Sequence, residues 1–221
     1  MHSRRFSSLC ALALCVSSLP AFPQAKLEKA PAPGGDAAVP AAIRSALDPT
    51  GAKLVRPDGS VLCQIWLRKS LPVGKVAAVR GAAYPEMAES TLVGVIQFPG
   101  SGSDFRGQTI RPGFYTMRYE QLPEDGNHMG VAPTRDFVLL LPASTDVDPT
   151  TAYDFAQLVK LSAQVAGTNH PAAFVLLATD TGDVPRTYQS PDGFQVFAGA
   201  VKTQDGKPVP IALVVRGQAE Q

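Results

Sequence analysis

Short apolar runs separated by Pro-, Gly- and Asp-containing turns recur from about residue 53 to residue 216, and this punctuation leaves few folds open to the chain. Residues 53–55 and 61–67 flank Arg56-Pro57-Asp58-Gly59. There a proline presets φ, an aspartate bonds its own backbone and a glycine takes positive φ, so the segment predicts a hairpin. Residues 76–79 form a short third strand and 91–98 a stronger one. Thr109-Ile110 runs into the tight turn Arg111-Pro112-Gly113. In the strand 114–120 that follows, alternation sets Phe114, Thr116, Arg118 and Glu120 on one face and Tyr115, Met117 and Tyr119 on the other. Residues 137–141 are closed by Pro142, and 173–178 form another strand. Residues 193–201 and 208–216 meet across Gln204-Asp205-Gly206-Lys207, whose Asp-Gly pair is a strong hairpin signal. Inside that hairpin, Ala198-Gly199-Ala200 is a patch of small residues that admits another element closely. A single amphipathic helix is expected over about 150–166. Phe155, Leu158, Val159, Ser162 and Val165 or Ala166 recur at helical spacing, Asp148 or Thr151 caps its start around Pro149, and Gly167 stops it. About eight to ten strands with one helix predict a mainly β domain, a β-sandwich or an open barrel.

The amino terminus reads differently. Arg4 and Arg5 precede the charge-free run 9–19, which Pro20 breaks, and Ala21 and Ala25 follow. This is the pattern of a signal peptide over residues 1–25, with cleavage after Ala25 preferred to cleavage after Ala21. The run is about half the length of a membrane-spanning helix. Cys10 and Cys15 each follow a leucine, which does not suit lipidation, and Phe6 sits too early for a twin-arginine signal. Residues 26–41, rich in Pro, Ala and Gly, are expected to be a flexible leader, and 42–221 a single β-rich domain. The expected location is therefore periplasmic or extracellular.

Removal of 25 of 221 residues leaves 196, with 18 basic and 19 acidic side chains and a net charge of −1. Nucleic acid and anionic membrane both demand clustered positive charge, and no basic run occurs, so neither is expected as the main partner. Cys63 is the one cysteine outside the signal, so no internal disulfide forms. Alternation places Cys63 with Val61, Ile65 and Leu67, and the thiol is read as a small buried hydrophobe.

Three groups of residues carry candidate chemistry. In the loop 99–107 the backbone amides, Ser101, Ser103 and Arg106 suggest anion binding, although the lysine and following helix of a P-loop are missing. Asp125 and His128 stand three apart in a second loop. With His170 from the turn after the helix, and Asp136, they would form a divalent-metal set. The competing reading has both histidines decorating turns stabilised by Asn127 and Asn169. Among the aromatics, Tyr115 stands for a face that would bind sugar or proline-rich peptide, together with Tyr84, Phe105, Phe114, Tyr119, Tyr188 and Phe194. No serine sits in a nucleophile elbow, which disfavours hydrolytic chemistry.

The elements Asp104-Phe105-Arg106-Gly107-Gln108, Ile110-Arg111-Pro112-Gly113-Phe114-Tyr115-Thr116-Met117 and Gly126-Asn127-His128-Met129-Gly130 resemble segments of uncharacterised bacterial secreted β-sandwich proteins. The resemblance covers about a quarter of the chain, implies a β fold and export, and carries no catalytic residue. The expectation is a binding domain without catalysis, taking a small molecule, a glycan or an envelope protein. The alternatives are a metal-dependent enzyme or metal-binding protein centred on His128, and a structural envelope component. No cofactor other than a divalent metal is expected.

Overall fold

The computed structural model describes residues 24–35, 38–72, 82–85, 87–122, 132–179 and 182–217. Ten strands form one antiparallel sheet that curls into a nearly closed barrel. In chain order they are β1 (Lys26–Ala30), β2 (Gly51–Val55), β3 (Val61–Leu67), β4 (Leu92–Phe98), β7 (Gly113–Gln121), β8 (Asp136–Pro142), β9 (Ala173–Leu177), β10 (Arg186–Gln189), β11 (Gln195–Lys202) and β12 (Pro208–Arg216). The spatial order is β1-β2-β3-β4-β7-β8-β9-β12-β11-β10, and β5 (Gly102–Ser103) pairs with β6 (Thr109–Ile110) as a small ribbon between β4 and β7. The mainly β class is as expected, and of the two expected shapes the barrel is the one adopted. Among the described residues no helix is long and apolar enough to cross a membrane.

Local rules account for most of these elements. The Pro-Asp-Gly and Asp-Gly turns place Gly59 at φ 82° and Gly206 at φ 83°, and the flanking strands pair as hairpins. Along β7, Tyr115, Met117 and Tyr119 enter the interior cluster, as alternation requires. They meet Leu54, Cys63 and Ile65 from β2 and β3, Ile96 and Phe98 from β4, and Phe174, Phe197 and Leu213 from the far side. Cys63 has no exposed surface, and burial pushes its thiol up to about 12.

The outer faces are buried too, because smaller elements lie against them. Helix α2 (Phe155–Ala166) covers Phe137, Leu139 and Leu141 of β8 with Leu158. Helix α1 (Ala41–Ala46) presses Ile43 onto Trp66, Leu92 and Val95. Phe105 covers Val175, Val196 and Val214.

Two expectations are corrected here. Residues 26–41 are not simply a leader. Lys26–Ala30 is a barrel strand whose Leu27 packs against the interior, and Ala30 and Val39 are buried beneath α1. The strand is held by its pairing with β2 and by Glu28, which lies between Lys26 (3.1 Å) and Lys53 (2.8 Å). The long helix starts at Phe155, about five residues later than expected. Asp154 caps it, accepting the Gln157 amide at 2.8 Å while the Gln157 side chain accepts the Asp154 amide at 3.0 Å. The expected stop is the observed one, with Gly167 in the left-handed region at φ 67°. The expected strand at 76–79 lies outside the described residues.

β4 contains an irregularity that keeps both of its faces buried. Its register with β7 slips between Leu92 and Gly94, so Leu92 and Val95 face α1 while Val93 and Ile96 face the interior. Gly94 makes this fit: a Cβ there would lie 2.3 Å from the Trp66 carbonyl oxygen and 3.1 Å from the Leu67 Cα. Both neighbours are backbone and cannot swing away. Gly94→Ala is therefore expected to lower the unfolding free energy by about 2–4 kcal/mol. Urea denaturation with an unchanged m-value and a lower midpoint would show it.

Candidate functional site

The buried polar groups include two hydrogen-bonded clusters and the lone carboxyl of Glu120, and their hydrogen bonds tell which are committed to structure. The first lies on the outer face of β7. Arg118, with no exposed surface, donates Nε to Asp146 Oδ2 (2.8 Å) and Nη2 to Asp146 Oδ1 (2.6 Å). Its Nη1 reaches the Ser90 and Thr151 carbonyls (3.0 and 2.9 Å), and Nη2 also reaches the Asp148 carbonyl (2.8 Å). All five N–H donors are used. Thr116 Oγ1 donates to Asp146 at 2.6 Å, and the Tyr153 ring lies beneath the guanidinium with its centroid 5.2 Å away. This site has no free valence for a substrate.

The second cluster faces the interior where β7 meets β8. Tyr119 donates its hydroxyl to Asp136 Oδ1 (2.5 Å) and accepts Gln121 Nε2 (2.8 Å), while Asp136 Oδ2 accepts the Ala83 amide (2.9 Å). Tyr84 donates to the Leu177 carbonyl (2.5 Å) and accepts the Ala212 amide (3.0 Å). Burial raises both phenols well above their ordinary range. The cluster fastens the segment around residue 84 to the barrel, and neither phenol gives up its proton at neutral pH.

Glu120 is different. It is 1% exposed and its Oε2 has no hydrogen-bond partner. Burial, reinforced by the nearby Glu89 carboxylate, lifts its carboxyl to about 7 against weaker backbone contributions from Gln121 and Ser90.

A sizeable cleft among the described residues lies elsewhere, at the barrel seam. At one point β1 and β10 are joined by Gln24 Nε2 donating to the Thr187 carbonyl (2.7 Å) and Thr187 Oγ1 donating to the Ala25 carbonyl (2.9 Å). Beyond that junction the edges part around a cleft of about 410 Å³. Leu27, Glu28 and Lys29 of β1, Ala52 of β2, Ile65 and Leu67 of β3, and Phe197 and Gly199 of β11 line it, together with Asp48, Thr50, Val184 and Pro185. Gly199 lets its neighbours pack closely at the cleft wall. A Cβ on Gly199 would stand 2.6 Å from Leu67 Cδ1 and 3.0 Å from the Phe197 ring.

Among the described residues, the candidates singled out from sequence form no common site. Ser101, Ser103 and Arg106 are exposed. In their loop the amides of Arg106 (3.0 Å) and Gln108 (2.8 Å) both go to Asp104 Oδ1, and Gln108 Nε2 goes to Oδ2 (2.7 Å). The loop thus wraps its own buried carboxylate. Burial raises the Asp104 carboxyl above its usual range, while these hydrogen bonds act to lower it. Tyr115 is turned inward against Phe98, and its hydroxyl donates to the Arg111 carbonyl at 2.8 Å. His170 is exposed and its amide donates to Thr168 Oγ1, whereas Asp136 is fully buried in the interior cluster. Asp125 and His128 lie outside the described residues. The cleft residues carry no motif, and the small patch 198–200 was the one sequence signal that touched them.

Comparison with protein-family models, with curated proteins and with solved structures finds no match for this chain.

The Glu120 carboxyl sets a pH dependence. Its folded value is raised above the ordinary 4.5. The stability tied to its neutral form is present in full below about 4.5 and is lost as pH rises through about 7. The melting temperature of the native protein should fall from pH 5 to pH 8 relative to that of Glu120→Gln, which cannot ionise. Parallel melting curves for the two proteins would show that Glu120 does not titrate in this range.

Proposed function

We propose that this chain is an exported binding protein without catalytic activity that holds a small, mainly apolar molecule in the cleft at the barrel seam. The observation that carries this reading is the cleft itself. At about 410 Å³ it falls within the size range of small-molecule sites, roughly 300–1,000 Å³. Its walls are aliphatic and aromatic with a few polar groups at the lip, and barrel mouths are a common place for such sites. The saturation of Arg118, Asp136 and Tyr119 by intramolecular hydrogen bonds favours binding over catalysis. A glycan or an envelope protein suits this apolar lining less well than a hydrophobic small molecule does.

The test is titration with the neutral fluorescent probe N-phenyl-1-naphthylamine. Saturable binding is expected, weakened by about tenfold or more in Leu27→Trp and Gly199→Leu, which place side chains in the cleft. Equal binding by native protein and by a correctly folded Leu27→Trp would overturn the reading. Leu27 is half-exposed on an edge strand and tolerates the change better than Gly199.

Export is proposed from Arg4, Arg5, the apolar run 9–19 and the small residues after Pro20. Ala25 is 4% exposed, and its carbonyl and the Gln24 side chain both bond Thr187 across the seam. Those contacts support cleavage after Ala21 rather than after Ala25. Intact-mass analysis of exported protein should accordingly give an amino terminus at Phe22, and a terminus at Lys26 would refute this choice.

A further inference from the structure

We infer that the molecule held in the cleft carries an anionic head group, which Lys29 receives. The inference rests on the cleft reading and specifies its ligand. Alternation along β1 decides where its charges go. Ala30 lies in the outer cluster under α1, and Glu28 pairs across the outer face with Lys53 (2.8 Å). Leu27 packs on the interior, where its partner Leu54 also lies, so Lys29, two residues on and opposite the interior residue Ala52, shares the inward face. Lys29 is exposed to solvent, so a lysine stands at the open mouth of an apolar cleft that it helps to line.

Its charge is uncommitted. Glu28, the adjacent carboxylate, also borders the cleft, but it is engaged by Lys26 (3.1 Å) and Lys53 (2.8 Å). Asp48 on the lip accepts the Thr50 amide at 2.8 Å, a bond that shapes its own turn, and it makes no ion pair with Lys29. A bare ammonium bordering apolar walls favours a ligand whose tail is buried and whose end is a carboxylate or similar small anion. An inward charge on an edge strand also discourages strand-to-strand aggregation. That role needs no ligand, and it predicts a different result.

The experiment measures displacement of N-phenyl-1-naphthylamine by decanoate, decanol and decylammonium, whose tails match. Decanoate is expected to displace the probe at a concentration about fivefold lower than decanol, with decylammonium the weakest of the three. Lys29→Gln should bring decanoate and decanol to equal potency, and added salt should weaken decanoate selectively. Equal potency of decanoate and decanol in the native protein, a preference for decylammonium, or a decanoate preference that survives Lys29→Gln would each overturn the inference while leaving the cleft reading intact. A Lys29→Gln protein that aggregates yet keeps the preference assigns the lysine to edge protection and overturns it as well. Failure of all three to displace the probe, with Leu27→Trp binding it normally, would sink the cleft reading and this inference with it.

Discussion

Arg118 brings a permanent charge and five N–H donors into a place without water, and the surrounding structure is arranged to receive them. Desolvating a guanidinium costs several kcal/mol unless its partners are well placed. Here they come from three stretches of chain: Asp146 with the Asp148 and Thr151 carbonyls, Thr116 behind Asp146, and the Ser90 carbonyl. Ser90 is the one described non-glycine residue with positive φ, at 66°, and it is held there by its carbonyl bond to Arg118, its amide bond to Tyr119 and the Tyr153 amide on its hydroxyl. Removing either charge of the pair would leave the other buried and alone, at a cost of about 3–5 kcal/mol. The ion pair therefore ties the turn before β4, the centre of β7 and the connection into α2 into one unit.

That constraint explains where sequence reasoning about the helix went astray. Pro149 and Asp148 look like the first turn of a helix, and by local rules they are good ones. The Asp148 and Thr151 carbonyls are turned toward Arg118, however, and the Asp148 side chain accepts both the amide and the hydroxyl of Thr150. The backbone stays irregular until Asp154, where the next capping box begins. Nothing within a short window of sequence shows that an arginine some thirty residues upstream claims those carbonyls.

The hairpins, the burial of Cys63 and the end of α2 were legible because each depends on neighbours in sequence: a turn residue, an alternation, a glycine. β1, α1 and β10 were not. Lys26-Leu27-Glu28-Lys29-Ala30 has one large apolar side chain and leads to Pro31, so its strand character comes from pairing with β2 and from the charge of Lys53. α1 is six residues long and depends on the surface offered by Trp66 and Val95 to bury Ile43. The four residues of β10 carry no periodicity and take their form from β11. The loop 99–107 misled for a related reason. Its amides do surround a carboxylate, but that carboxylate is Asp104, a member of the same loop.

Of the elements that were hard to read, β1 lines the cleft and β10 forms the junction beside it. A barrel closed by a continuous ladder between β1 and β10 would have no edge and no opening at this seam. Here the two edge strands meet through the hydrogen bonds of Gln24 and Thr187, and past them the walls are Leu27 and Lys29 on one side and the segment of Val184 and Pro185 on the other. Backbone groups left without a ladder at such an edge would invite another strand, and charged side chains oppose that. Lys26 and Glu28 do this on the outer face at no loss of apolar surface. Lys29 does it from the inward-facing side of β1, where it is exposed at the mouth of the cleft. On the binding function proposed above, that positive charge is met by a negative charge carried by the ligand.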